Sequence, residues 1–177
     1  MKKFTQSLSA LLLTFTIAVL CSSPALAAAP GYRNDVRPML EELNRFRTGE
    51  DAWYWSPMNL GKEYPECGAL KWDRNLESIA KIRAREIQQL FSHTRPNGQS
   101  CFTVRSNGAQ SWGENIAAGQ TSAEQVFEDW REDNRLYSGQ GHRRNMLNPD
   151  FKAVGMAHFV SSSGMDYWVQ EFGYQVS

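Results

Sequence analysis

Apolar residues recur at helical spacing in three stretches of this chain and alternate in a fourth. Val36, Met39, Leu40, Leu43 and Phe46 share one face of a helix predicted over about Val36 to Arg47, which Gly49 ends. Leu76, Ile79, Ala80, Arg83, Ile87 and Leu90 trace a second, mostly apolar stripe over about Arg74 to Phe91, with Asp73 as its N-cap. A third helix opens near Thr121 or Ser122, where Thr121 and Glu124 fit a capping box and Val126, Phe127 and Trp130 follow on one face. The tail reads as a hairpin. Val154, Met156, His158 and Val160 alternate in one arm, Ser161 to Gly164 turn, and Tyr167, Val169 and Glu171 alternate in the other. Residues 49–70 hold four Gly or Pro before Cys67, together with Trp53, Tyr54 and Trp55, and read as a long loop tied down by packing. A sheet flanked by helices is the expected result.

The N-terminus changes which residues belong to that fold. Lys2 and Lys3, the apolar run from Leu8 to Leu20 and Ala25-Leu26-Ala27 read as a signal peptide cut after Ala27. The run is shorter than the ~20 residues a spanning helix needs, so the expected product is secreted and has no transmembrane segment. Leu20 stands before Cys21 where a lipoprotein processing site takes a small residue, so Cys21 is expected to leave with the signal. Residues 28–34 form an expected flexible lead-in and residues 35–177 a single domain. Cutting there leaves 150 of the 177 residues, enough to bury roughly 70% of the unfolded chain's surface. In that remainder 17 Lys and Arg face 19 Asp and Glu, a balance with no electrostatic footprint for nucleic acid. Cys67 and Cys101 are an even count in an oxidising compartment and are expected to form one disulfide. In the loop-entropy model such a bridge is worth roughly 3 to 4 kcal/mol.

Candidate chemistry centres on two of the three histidines. His93 lies in Phe91-Ser92-His93-Thr94-Arg95-Pro96-Asn97-Gly98, where Pro-Asn-Gly marks a turn directly after the second helix. His142 lies in Gly141-His142-Arg143-Arg144-Asn145-Met146-Leu147-Asn148-Pro149, and Gly113-Glu114-Asn115 stands between the two motifs. Imidazole is the usual neutral metal ligand and titrates near neutral pH, so two of them beside carboxylates suggest a metal or proton-transfer site. There is no His-Glu-x-x-His helix, Gly-x-Ser-x-Gly elbow, Gly-x-Gly-x-x-Gly phosphate cradle or Cys-x-x-Cys pair. Those absences weaken every hydrolase reading except a metal-assisted one.

Phe91 to Gly98, Gly113-Glu114-Asn115-Ile116-Ala117, Gly141 to Phe151 and Tyr167-Trp168-Val169-Gln170-Glu171-Phe172-Gly173, in that order, resemble the CAP (SCP/TAPS) domain, especially its bacterial branch. The resemblance runs from about Leu40 to Gly173. It implies an α+β fold, a three-layer α-β-α sandwich with a mixed or antiparallel sheet, and a cleft holding two His and two acidic side chains. Residue by residue, the implied tetrad is His93, Glu114, His142 and an acid three past a helical Trp. Three past Trp130 is Asp133, where eukaryotic members usually have Glu, while Glu132 stands one residue earlier, so both are candidates.

The two imidazoles can supply nitrogen ligands to zinc at about 2.0 to 2.1 Å, leaving positions for water and a carboxylate oxygen. The leading expectation is a secreted binding module whose cleft takes a divalent metal and an unidentified small ligand or protein partner. A metal-assisted extracellular peptidase or other hydrolase, with Glu114 as the candidate catalytic base, is the alternative. Lipid or sterol capture, with Trp53 and Trp55 as an apolar lip, is a third. Against all of these stands a purely structural network in which Glu114 holds three loops together. Asn145, Asn148-Pro149, Tyr167, Trp168 and Phe172 read as scaffold, His158 as a strand surface residue, and Arg143 and Arg144 as solvated.

Overall fold

A computed structural model describes residues 29–177, so the expected signal peptide lies outside the described residues. Two eight-residue strands, β6 (Ala153–Val160) and β7 (Asp166–Gly173), form the expected hairpin. Beside β7 runs β5 (Gly113–Ala118), antiparallel. The far edge of β6 takes β1 (Gly31–Arg33), antiparallel, and β4 (Lys71–Trp72), parallel. The sheet is therefore mixed, as expected. A separate small hairpin, β2 (Tyr54–Trp55) with β3 (Lys62–Glu63), lies within the long loop.

Strand alternation divides the sheet into two faces, and each recruits its own helices. On one face Ile116, Ala157 and Val169 pack against Ala80, Ala84 and Ile87 of α2 (Arg74–Gln89). On the other, Ala117, Val154, Met156, Trp168 and Phe172 meet α1 (Met39–Thr48), α3 (Ala123–Arg131) and α4 (Gly141–Met146) through Leu43, Phe46, Phe127, Trp130 and Met146. That is the three-layer sandwich. The approach of α2 is set by a missing side chain. A Cβ on Gly155 of β6 would lie 2.0 Å from the backbone nitrogen of Glu77 and 2.2 Å from the carbonyl carbon of Leu76.

Several local expectations need correction. α1 begins at Met39 rather than Val36, because Pro38 disfavours helical backbone in the residue before it. α3 is capped by Ser122, whose hydroxyl accepts from the Gln125 backbone N–H at 3.2 Å, while the Gln125 side chain accepts from Thr121 N–H at 3.0 Å. The N-cap is thus Ser122, with Gln125 three residues on and its side chain reaching the residue before the cap, rather than the expected Thr121 and Glu124 pair. Residues 31–33, expected in a flexible lead-in, form an edge strand. Tyr32 holds it down by stacking edge-on against Phe159 and donating its hydroxyl to the Lys81 carbonyl at 2.5 Å.

The expected disulfide is absent, and both cysteines are free thiols. Cys67 packs against the core under α1 and donates to the Leu147 carbonyl at 3.1 Å. Cys101 is buried in a short 3-10 turn beside Glu114, on the α2 face. The sheet separates them, whereas a bridge needs Cα atoms within about 7 Å.

His158 is also misplaced by sequence reasoning. It is 3% exposed, stacks on Trp168 at 3.5 Å between ring centroids, and places its two nitrogens 2.8 Å from Asp35 and 2.7 Å from Asp166. Gly155→Ala is expected to destabilise the domain by about 2 kcal/mol or more, since backbone rather than a flexible side chain occupies the space. Gly61→Ala, which meets nothing within 4 Å, is the control. Urea denaturation of both variants measures the difference.

Candidate functional site

Each histidine lies at the boundary of an element and meets a carboxylate. The last turn of α2 releases the chain at Leu90, whose N–H still bonds the Glu86 carbonyl, and the following turn presents His93. Its Nδ1 lies 2.7 Å from Glu114 Oε1 on β5. The Glu114 carboxylate is itself buried and held by a guanidinium from α2, with Arg83 Nε donating to Oε2 at 2.6 Å and Nη2 to Oε1 at 3.3 Å. Arg83 also reaches Glu86 at 2.7 Å and the Ser92 carbonyl at 2.7 Å, so one side chain fixes the carboxylate and the loop carrying His93.

His142 opens α4, and its partner is Glu132. Nδ1 lies 2.7 Å from Glu132 Oε1, and Glu132 Oε2 accepts from the His142 backbone N–H at 3.0 Å and the Arg143 N–H at 3.3 Å. Glu132 reaches this position because it ends α3 in left-handed conformation, φ 50°. Asp133, the other candidate acid, faces away from His142. It pairs with Arg143 and, at 2.9 Å, with Arg131.

Arg143 is not solvated as expected but fully buried, donating to the carbonyls of Asp51, Trp53 and Arg131. It thereby ties the long loop to the end of α3. Trp53 is enclosed by Arg143 at 4.3 Å and Lys62 at 3.5 Å from its ring and by Trp55 edge-on, which gives it a packing role.

The two pairs are joined through β5. Asn115, beside Glu114 and pointing to the opposite face, donates to the His142 carbonyl at 3.2 Å and to Gln170 at 3.1 Å. Asn145 of α4 donates to the Glu114 carbonyl at 3.1 Å and to Asn115 at 2.9 Å. Among the described residues, one set of three side chains could hold a metal by proximity alone: His93, Cys101 and Glu114 each offer a ligand atom within 4.8 Å of the others. His142 is not in that set. Its chemistry is mixed, because Glu114 already answers Arg83, and the Cys101 thiol is pushed up to about 12 by burial and by the charges of Glu114 and Glu171.

Glu171 is a group that sequence reasoning left among strand residues. The register of β5 and β7 sets it directly opposite Glu114, and it is fully buried. Neither of its oxygens has a well-formed hydrogen bond. Burial and the neighbouring negative charge of Glu114 push its carboxyl well above the usual range. Burial also works to raise Glu114, but hydrogen bonds from His93 and Arg83, with the guanidinium charge, outweigh it and hold that carboxyl far below the usual range. Two carboxyls placed opposite one another thus diverge, Glu114 favouring the ionised form and Glu171 the protonated one.

A mixed sheet between helical layers is the α-β-α sandwich of the CAP class of domain. The model of the Cysteine-rich secretory protein family matches residues 40–172, and the chain belongs to that family. Protein YkwD of Bacillus subtilis (strain 168) is 32% identical over 108 residues, covering 58% of this chain and 38% of YkwD, so the chain spans well under half of that curated relative. Among solved structures, an outer surface protein from Borrelia burgdorferi superposes with a TM-score of 0.58 at 20% identity, covering 81% of this chain and 94% of that one. The Schistosoma mansoni venom allergen-like protein 4 gives 0.56 at 17% identity, covering 79% and 86%. NaASP2, solved with Zn2+, gives 0.54 at 20% identity, covering 81% and 82%. At these identities the likeness concerns the fold.

The sign of the Glu171 shift gives a pH test. A carboxyl raised in the folded state contributes stability below its ordinary range, about pH 4, and loses it as pH rises through the folded value. Glu171→Gln mimics the protonated form. Its melting temperature is expected to exceed that of the wild type at pH 7.5, with the gap closing near pH 4. An equal difference at both pH values, in thermal melts, would contradict the assignment.

Proposed function

We propose that this chain is an exported binding module whose two histidines take a divalent cation, zinc by ligand preference, through their Nε2 atoms. The observation that carries the reading is that each imidazole is anchored through Nδ1, by Glu114 and by Glu132, both at 2.7 Å. A carboxylate accepts the Nδ1 proton and leaves Nε2 with its lone pair. Metal-binding histidines commonly have this arrangement, with the second nitrogen donated to a carboxylate that fixes tautomer and ring orientation. Both rings are also open to solvent, with side-chain exposures of 57% for His93 and 32% for His142. In this reading Glu114 and Glu132 orient the ligands rather than bind the metal, so the pairing of Glu114 with Arg83 is no obstacle.

The NaASP2 structure with Zn2+ is similar in fold and adds support. A bound zinc ion supplies Lewis acidity and binding energy to a ligand oxygen. The residues here hold the rings and exclude competing rotamers. The hydrolase alternative needs Glu114 as a base, and a carboxyl held low by a buried guanidinium is a weak one. Binding is therefore the better-supported reading. Export rests on the N-terminal signal, and membership of a family of secretory proteins is consistent with it.

Calorimetric titration of the mature protein with Zn2+ tests the site. One-to-one binding is expected for the wild type, with affinity falling at least about tenfold in His93→Ala and in His142→Ala, and about 10- to 100-fold in Glu132→Gln through loss of ring orientation. Equal affinity in the wild type and both His variants would remove the two-histidine site.

A further inference from the structure

On the side of the molecule where the chain leaves β7, a cavity of about 360 Å³ opens between the Ser106–Ala109 turn and the C-terminal residues. Its walls include Trp112 and Tyr174, which are 51% and 49% exposed although both are large aromatics. Their rings lie 5.5 Å apart at 34° to one another. Gln110, Gln175 and Ser177 supply the polar rim, Ala109 and Leu76 part of the floor, and no lining side chain carries a charge.

The platform is built rigidly. Phe172 of the core stacks on Phe151 at 5.4 Å, Phe151 meets Tyr174 at 5.3 Å, and Tyr174 meets Trp112, so a ladder of four rings runs from the interior to the cavity. Phe151 occupies its place because residue 113 is glycine, whose Cβ would otherwise lie 2.8 Å from that ring. Trp112 is pinned by its backbone N–H to the Phe172 carbonyl at 2.7 Å. The opposite wall is fixed too. Asn107 at the turn donates to Asn75 at 2.9 Å, and Asn75 donates to Ser177 at 3.1 Å.

We propose that this cavity binds a neutral saccharide, with one or two sugar rings on the Trp112–Tyr174 platform. The faces of a pyranose present C–H groups that pack on aromatic rings, while its hydroxyls, at the ring edge, both donate and accept. Amide side chains answer that pattern, each offering a carbonyl and an NH₂. Aromatic walls with a few placed polar groups, in a volume of a few hundred Å³, are the usual make-up of a small-ligand site. No basic side chain lines the cavity and the Asp73 carboxylate bonds Ser177 at its edge, so an anionic ligand would find no countercharge. Fixing the rings before binding removes part of the ordering cost.

Calorimetry on the mature protein with chitotriose, cellotriose and maltotriose as separate probes tests the proposal, with a heparin disaccharide and an uncharged tripeptide as competing ligand classes. At least one neutral trisaccharide is expected to bind saturably in the millimolar range or tighter, about tenfold more weakly in Trp112→Ala and in Tyr174→Ala. Trp112→Phe, which keeps a ring, should retain part of the affinity. His93→Ala should bind as the wild type does, which separates this site from the metal site. Failure of all three trisaccharides to bind, binding unchanged in both alanine variants, or binding of the tripeptide or heparin disaccharide alone would overturn it. Both alanine changes are at half-exposed positions, and thermal melts report whether either variant is unfolded.

Discussion

Arg83 carries a guanidinium into the layer between α2 and the sheet, with no side-chain surface left in water. A charge so placed is tolerable only if it is paired and its hydrogen bonds are met, and removal of one partner from such a pair typically costs about 3–5 kcal/mol. Glu114 supplies the countercharge, Glu86 a second, and the Ser92 carbonyl takes a further N–H. All of these lie at one end of α2. The loop that presents His93 is therefore positioned by the same electrostatic requirement that docks the helix on the sheet. Disturbing the site's carboxylate would disturb the packing of a whole layer.

β5 extends this coupling through the sheet. Successive strand residues point to opposite faces, so Glu114 answers α2 while Asn115 answers α4. Asn145 then closes the link by bonding both the Glu114 carbonyl and the Asn115 side chain. Two histidines on elements far apart in the chain are in this way referenced to one dipeptide of one central strand. Gly113, just before it, has no room for a Cβ because Phe151 fills that space. The Gly-Glu-Asn motif thus has three distinct physical duties, one per residue: close packing, charge pairing and amide bridging.

Much of this was legible in the sequence where it depended on periodicity. The α2 stripe, the tail hairpin and a sheet flanked by helices follow from spacing, the His93 and His142 motifs stand out by their turns, and the third layer and the role of Glu114 follow from the family resemblance. What was not legible depended on register and on the sheet as a divider. The placement of Glu171 opposite Glu114 is a matter of β5 pairing with β7, which no local pattern specifies. Cys67 and Cys101 form a plausible pair until the sheet is seen to lie between them. The choice of Glu132 over Asp133 as the partner of His142 turns on a left-handed residue at the end of α3, a conformation uncommon for glutamate. One signal was present but unused: Arg83 sits at a core position of the α2 stripe, and an arginine there demands a buried acid.

The division of charge between Glu114 and Glu171 bears on what the site can do. A base must give up its preference for the ionised form when it accepts a proton, and Glu114 is held ionised by hydrogen bonds from His93 and Arg83 and by the guanidinium charge. Glu171, pushed toward its protonated form, is fully buried and does not face an outside ligand. Glu114, far below the usual range, is a poor proton acceptor, and its ionised carboxylate seats His93. The electrostatics hold the His93 imidazole in one orientation. The surrounding acids are committed to the fold, Glu114 to Arg83 and His93, and Glu132 to His142 and the start of α4.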